Sequence, residues 1–115
     1  MVETLFRSVT DTYRESCWRP AVDIYRGCHG WLVKFDLAGV RPEDIELGVE
    51  GRHLVVRGVR RDLAIVEGQR AYSMEISYNR FERRVEMPCD LAVGMIRSDY
   101  RDGMFLVTIL TEAPT

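Results

Sequence analysis

The feature that most restricts this chain is a period of two. Along most of its length apolar and polar residues alternate in short runs, bounded by glycine, proline or an Asp-Gly pair. Successive side chains on a strand point to opposite faces, so such alternation predicts strands buried on one side. Val22 and Ile24 alternate with Asp23 and Tyr25 just after Pro20. Proline cannot donate to a ladder, so this strand is expected at a sheet edge. Arg26-Gly27-Cys28-His29-Gly30 supplies turn chemistry, after which Trp31, Val33, Phe35 and Leu37 alternate with Leu32, Lys34 and Asp36.

Ala38 to Asp44 reads as a connection. Ile45, Leu47 and Val49 then alternate with Glu46, Gly48 and Glu50, and Gly51-Arg52 turns the chain back into Leu54, Val55 and Val56. Together they predict a hairpin with one apolar face. Residues 59–71 carry the weakest pattern, and residues 71–76 are expected to add a short strand. Phe81, Arg83, Val85 and Met87 alternate with Glu82, Arg84 and Glu86 until Pro88 closes the run. Ile96, Ser98 and Tyr100 lead to Arg101-Asp102-Gly103, a hairpin turn in which glycine accepts positive φ. Met104 to Leu110 is apolar on both faces apart from Thr108, the pattern of a central, doubly covered strand. Seven or eight short strands without helical crossovers predict an all-β protein, an antiparallel β-sandwich.

Only the beginning departs from this rule. Val2, Leu5, Phe6, Val9 and Tyr13 recur at three- and four-residue spacing, which predicts an amphipathic helix over roughly residues 3–16. Pro20 marks the end of any helical segment.

A length of 115 residues suits a single core, and 46 % hydrophobic with 30 % charged residues is a globular composition. Sixteen basic and eighteen acidic residues give a formal charge of −2, with signs interspersed along the chain. That balance supplies no field for counterion release, so no nucleic-acid partner is expected. No apolar run approaches the ~20 residues of a membrane span, and no leader pattern opens the chain, so a cytoplasmic location is expected. Three cysteines, an odd number at irregular spacing, predict reduced thiols rather than a disulfide framework.

Chemical motifs are sparse. Cys28 and His29 are neighbours whose side chains would point apart on a strand, which argues against a thiol–base pair. With His53 they lack the spacing of metal ligands. Gly27-x-x-Gly30 and Gly48-x-x-Gly51 lack the third glycine and the helix of a phosphate loop. No catalytic residue, cofactor or metal site is therefore predicted, and the chain is not read as an enzyme.

Arg83 carries more information, because it shares the register of Phe81, Val85 and Met87 and should face the core. A buried guanidinium is costly unless its donors are met. Either the strand twists Arg83 out to solvent, or it meets a carboxylate at a subunit interface. Edge strands carrying Val22, Ile24, Ile45, Leu47 and Val49 also invite strand addition, and the 59–76 excursion is long enough to reach a neighbour. A dimer by strand exchange is expected.

Taken in order, several segments resemble the α-crystallin domain of the small heat-shock proteins over roughly residues 18–110. These are Trp18-Arg-Pro-Ala-Val-Asp-Ile-Tyr25, Phe35-Asp-Leu-Ala-Gly39, Val40-Arg-Pro-Glu-Asp-Ile45, Leu54-Val-Val-Arg-Gly58, Glu75, Phe81-Glu-Arg83, Met87-Pro88 and Asp102-Gly-Met-Phe105. The resemblance implies an immunoglobulin-like sandwich, with residues 1–17 as a helical arm and residues 111–115 as a very short tail. It also implies ATP-independent holding of unfolding client proteins, without cofactor or catalysis. The Gly58–Phe81 spacing resembles the bacterial and plant branch, whose long loop is exchanged between subunits. By that analogy Tyr72, Ser73, Met74 and Glu75 pair with Val22, Asp23, Ile24 and Tyr25 of the partner, and Arg83 lies at the dimer interface.

Two client surfaces are expected. One is the arm face of Leu5, Phe6, Val9 and Tyr13; the other is the groove between the Ile45, Leu47, Val49 run and the Ile96, Ser98 run. Ser98 replaces the family's alanine, Ile76 follows Glu75 where the family has arginine, and no Ile-x-Ile tail follows Leu110. A dimer, with other small heat-shock proteins as further partners, is therefore expected in preference to a large shell. The competing reading is a non-chaperone, co-chaperone-like adaptor on the same sandwich, against which the long 59–76 loop speaks.

Overall fold

Residues 17–62, 66–92 and 95–111 are described by the computed structural model. Among them the alternating runs become seven strands: β1 (Val22–Gly27), β2 (Gly30–Asp36), β3 (Ile45–Glu50), β4 (His53–Arg60), β5 (Asn79–Glu86), β6 (Ile96–Arg101) and β7 (Met104–Leu110). A 3-10 turn at Pro42–Asp44 leads into β3. All strand pairs are antiparallel and form two sheets, β1-β2-β7-β6 and β3-β4-β5. The sheets pack face to face as a sandwich. The expected helix over residues 3–16 lies outside the described residues.

The core follows from the alternation. Val33 and Phe35 of β2 and Phe105, Val107 and Ile109 of β7 face Leu54 and Val56 of β4 and Phe81 and Val85 of β5. Leu37, Val40 and Met87 close its ends. Each fully buried aliphatic or aromatic side chain contributes ~1.5–3 kcal/mol of transfer free energy. The Phe35 and Phe105 rings meet at a centroid distance of 6.2 Å, tilted by 46°. One close approach depends on a missing side chain. Gly58 lies opposite Phe81, and a Cβ there would collide with the Asp44 carbonyl oxygen and stand 2.5 Å from the Phe81 ring.

The structure differs from the sequence expectations in three places. Residues 71–76 form no strand; they run irregularly, and every one is exposed. β7 is central, between β2 and β6, but only one of its faces is covered. Met104, Leu106 and Leu110 on the other face remain half-buried, and among the described residues no second sheet lies over them. Val55 departs in the opposite direction. Its register with Gly48 and Arg84 puts it on the outer face of the three-stranded sheet, yet it is only 2 % exposed. Around it Arg84 Nη1 meets Glu50 at 2.7 Å, Arg57 Nε meets Glu82 at 3.1 Å, and Arg57 Nη2 reaches Glu50 at 3.5 Å. This lattice lies on the same face as the valine, and the stems of long charged residues commonly cover apolar surface.

The Gly58 contact gives a direct check on sheet packing. Gly58→Ala should lower Tm by roughly 5–15 °C, the range expected for overpacking a core in a domain of this size. Gly48→Ala, where nothing lies within 4 Å of the added carbon, should leave Tm nearly unchanged. Equal thermal melts for the two variants would contradict the packing.

Candidate interaction edges and the long loop

A strand edge exposes unpaired N–H and C=O groups, so the treatment of each edge decides where another chain can add. The first part of the β5 edge is closed from within. Trp18 N donates to Arg80 O and Glu82 N donates to Trp18 O, both at 3.1 Å, making a parallel bridge beside Phe81. The Trp18 ring lies 5.2 Å from the Phe81 ring, and its Nε1 donates to Asn79 O at 3.3 Å. Trp18 precedes β1 by four residues, so β1 and β5 lie at one margin of the sandwich. β3 and β6 share the other. Among the described residues no backbone hydrogen bond reaches the outer edges of β1, β3 or β6.

Arg83 sits where β5 approaches the start of β1. Its register with Val56 turns it toward the core side, and the side chain is half-buried. It neither escapes to solvent nor meets a carboxylate among the described residues. Nη1 donates to Pro20 O at 2.9 Å, while Nε is buried without a partner. An unmet buried donor carries the full cost of its desolvation.

β1 leaves apolar surface open. Val22 is half-buried, but Ile24 is 45 % and Tyr25 47 % exposed, and Asp23 is exposed. Ile24 pairs with the buried Val33 and therefore faces the inner side, beyond the reach of the three-stranded sheet. Lys34 lies over the Tyr25 ring at 5.2 Å. In the long loop Ser73 and Glu75 are exposed beside Tyr72, which is wholly exposed, and Met74 and Ile76, at 59 % and 63 %. No hydrogen bond joins residues 72–75 to β1 among the described residues.

At the opposite margin Ile45, Leu47 and Val49 are half-buried against the core, as is Ile96. Ser98 is exposed and in register with Val107. Leu5, Phe6, Val9 and Tyr13 lie outside the described residues. Cys28 and His29 are exposed in the β1–β2 turn, and His53 is half-buried in β4. Among the described residues no three His, Cys, Asp or Glu side chains gather into a metal-sized group. No helix among them is long and apolar enough to cross a membrane.

Sequence reasoning missed the base of the loop. Arg60 Nε donates to Ala38 O at 3.0 Å, Nη1 donates to Ser77 O at 2.8 Å, and the guanidinium lies 4.2 Å from the Trp18 ring centroid. Arg61 binds Asp44 through both carboxylate oxygens, at 3.0 and 3.1 Å. Two arginines at a strand end read as solvated charge, and no local signal links them to Asp44 or Ala38. The Arg61 hydrogen bond, aided by its charge and that of Arg41, holds the Asp44 carboxyl below its ordinary value against the opposing effect of burial. The Arg84 hydrogen bond does the same at Glu50, helped by its charge and by Arg57. Tyr100 is displaced the other way, chiefly by burial, with its hydroxyl donating to Leu37 O at 2.9 Å.

A two-sheet antiparallel sandwich with a long loop between β4 and β5 is the α-crystallin type of domain. Residues 23–115 match the Hsp20/alpha crystallin family, and the chain belongs to it. It is 34 % identical over 94 residues to 18 kDa antigen 2 of Mycobacterium avium, covering 79 % of this chain and 67 % of that protein. It is 29 % identical over 90 residues to spore protein SP21 of Stigmatella aurantiaca, covering 78 % of this chain and 53 % of that one. It therefore spans about half to two thirds of these relatives' lengths. The solved structure of hspA from Xanthomonas axonopodis superposes with a TM-score of 0.71 at 29 % identity, covering 81 % of this chain and 93 % of that one. The family is one of small heat-shock chaperones that act without ATP, not of enzymes.

The Asp44–Arg61 pair predicts a pH dependence. A carboxyl whose folded pKa is depressed contributes stability above its unfolded value and loses it as pH falls through the folded one. Asp44→Asn should therefore lower the urea midpoint at pH 7, with the gap from the unmodified chain closing at a pH well below the ordinary carboxylate range. A gap of the same size at both pH values would remove the ion pair as its cause.

Proposed function

We propose that this chain is an ATP-independent holdase that works from a strand-exchanged homodimer in the cytoplasm. The supporting observation is the pairing of unmet surfaces at one margin. The open edge of β1 presents Ile24 and Tyr25, Arg83 keeps a buried Nε without an acceptor, and the long loop exposes Tyr72, Met74 and Ile76 at every second residue. A loop segment with period-two apolar residues needs only an open edge to become a strand. In this reading Tyr72 to Glu75 of one subunit pair with Val22 to Tyr25 of the other, and a partner carboxylate meets Arg83.

Clients are proteins that expose apolar segments as they unfold. Their capture draws on burial of apolar area, at ~25 cal/mol per Å², and so needs no nucleotide. The proposed contact surfaces are the β3–β6 margin, with Ile45, Leu47, Val49, Ile96 and Ser98, and the arm residues Leu5, Phe6, Val9 and Tyr13. The same margin would accept segments of other small heat-shock proteins.

Two measurements test this. Heating an aggregation-prone client with the protein should suppress light scattering without ATP, whereas unchanged scattering at several-fold molar excess would contradict the holdase. Arg83→Gly should weaken the dimer about tenfold or more, since an interfacial charge pair loses one partner. An unaltered sedimentation profile would take Arg83 out of the interface.

A further inference from the structure

The loop of residues 61–78 leaves the sandwich after Arg60, the last residue of β4, and returns at Asn79, the first of β5. Arg60 and Asn79 are cross-strand partners, so departure and return share one place. The Arg60 guanidinium holds that place on three sides. One donor takes Ala38 O in the connection after β2, and another takes Ser77 O on the returning segment. Its face covers the Trp18 ring at 4.2 Å, and Trp18 is the residue that covers the start of the β5 edge. A planar fork can make two hydrogen bonds and stack at the same time; an ammonium cannot reproduce that geometry. Arg61 fixes the next residue through its bidentate pair with Asp44.

Beyond this base the loop projects Tyr72, Met74 and Ile76 into solvent. Apolar side chains on a slack tether would fold back onto the half-covered β1 face of their own subunit. A tether held at both ends limits that return and lowers the ordering cost of association with another chain. We propose that Arg60 is a positioning residue for assembly: it fixes the departure of loop 61–78 so that its apolar residues are presented to a second copy of this chain. This rests on the strand-exchange reading. It adds a residue that hydrogen-bonds to neither the exchanged segment nor the receiving edge.

The test compares the full chain with Arg60→Met and Arg60→Lys by sedimentation across a range of concentrations, and by amide hydrogen exchange. Arg60→Met should raise the dimer dissociation constant about tenfold, the scale of losing one or two charge-assisted hydrogen bonds. Arg60→Lys, which keeps the charge over Trp18, should fall between the two. Exchange should quicken in residues 66–78 while protection in β2 and β7 stays at its original level. If Arg60→Met fails to fold, Arg60→Lys decides by the same two readings. Dissociation constants within twofold of the unmodified chain, or a loss of protection in β2 and β7 as large as that in the loop, would overturn the positioning role and leave strand exchange standing. An unmodified chain that stays monomeric at every concentration would overturn strand exchange itself, and this role with it.

Discussion

Backbone hydrogen bonding at the sheet edges governs this molecule. A sandwich of one four-stranded and one three-stranded sheet has four edge strands, β1, β6, β3 and β5. Buried strands satisfy their N–H and C=O groups within the ladder, whereas each edge needs water, another segment or another chain. Here, among the described residues, the chain covers the start of the β5 edge with a bridge at Trp18. That bridge also carries the lead-in to β1 across the sandwich and brings Pro20 O to Arg83. One tryptophan therefore covers part of one edge at this margin and leaves the β1 edge beside it open.

Arginine does much of the remaining work, in three different environments. Arg83 enters from the core-facing side of β5 and is only partly met. Arg60 joins three separate segments at the root of the loop. Arg57 and Arg84 spread over the outer sheet face and bind glutamates across neighbouring strands. Exposed pairs of the last kind contribute little each, so their value is geometric: together they flank a valine and hold the strands in register. The chemistry of one residue type changes with depth and with the number of donors it can place.

The strands were legible because alternation reports one-sided burial directly, and Val33, Phe35, Phe81 and Ile109 lie in the core as that pattern requires. Val55 was not legible as an outward residue. In Leu54-Val55-Val56 three apolar neighbours look alike, and only the cross-strand register with Arg84 shows which face the middle one takes. Residues 71–76 read as a short strand, but a strand needs a pairing partner, and alone that segment runs as exposed loop. Arg83 was flagged by its register, whereas Arg60 was missed, because its acceptors are backbone carbonyls 22 and 17 residues away. Carbonyl acceptors leave no trace in residue identity.

The outer face of the three-stranded sheet has one more consequence. The cross-strand rows Glu46–Arg57–Glu82, Gly48–Val55–Arg84, Glu50–His53–Glu86 and Val59–Arg80 place four carboxylates and three guanidiniums there, a net of −1 with His53 neutral. Two copies stacking through this face would have to break ion pairs that flank Val55 to gain apolar contact there. Apolar stacking of sheet on sheet is thus hindered here, because the valine lies among paired charges and not on an open greasy surface.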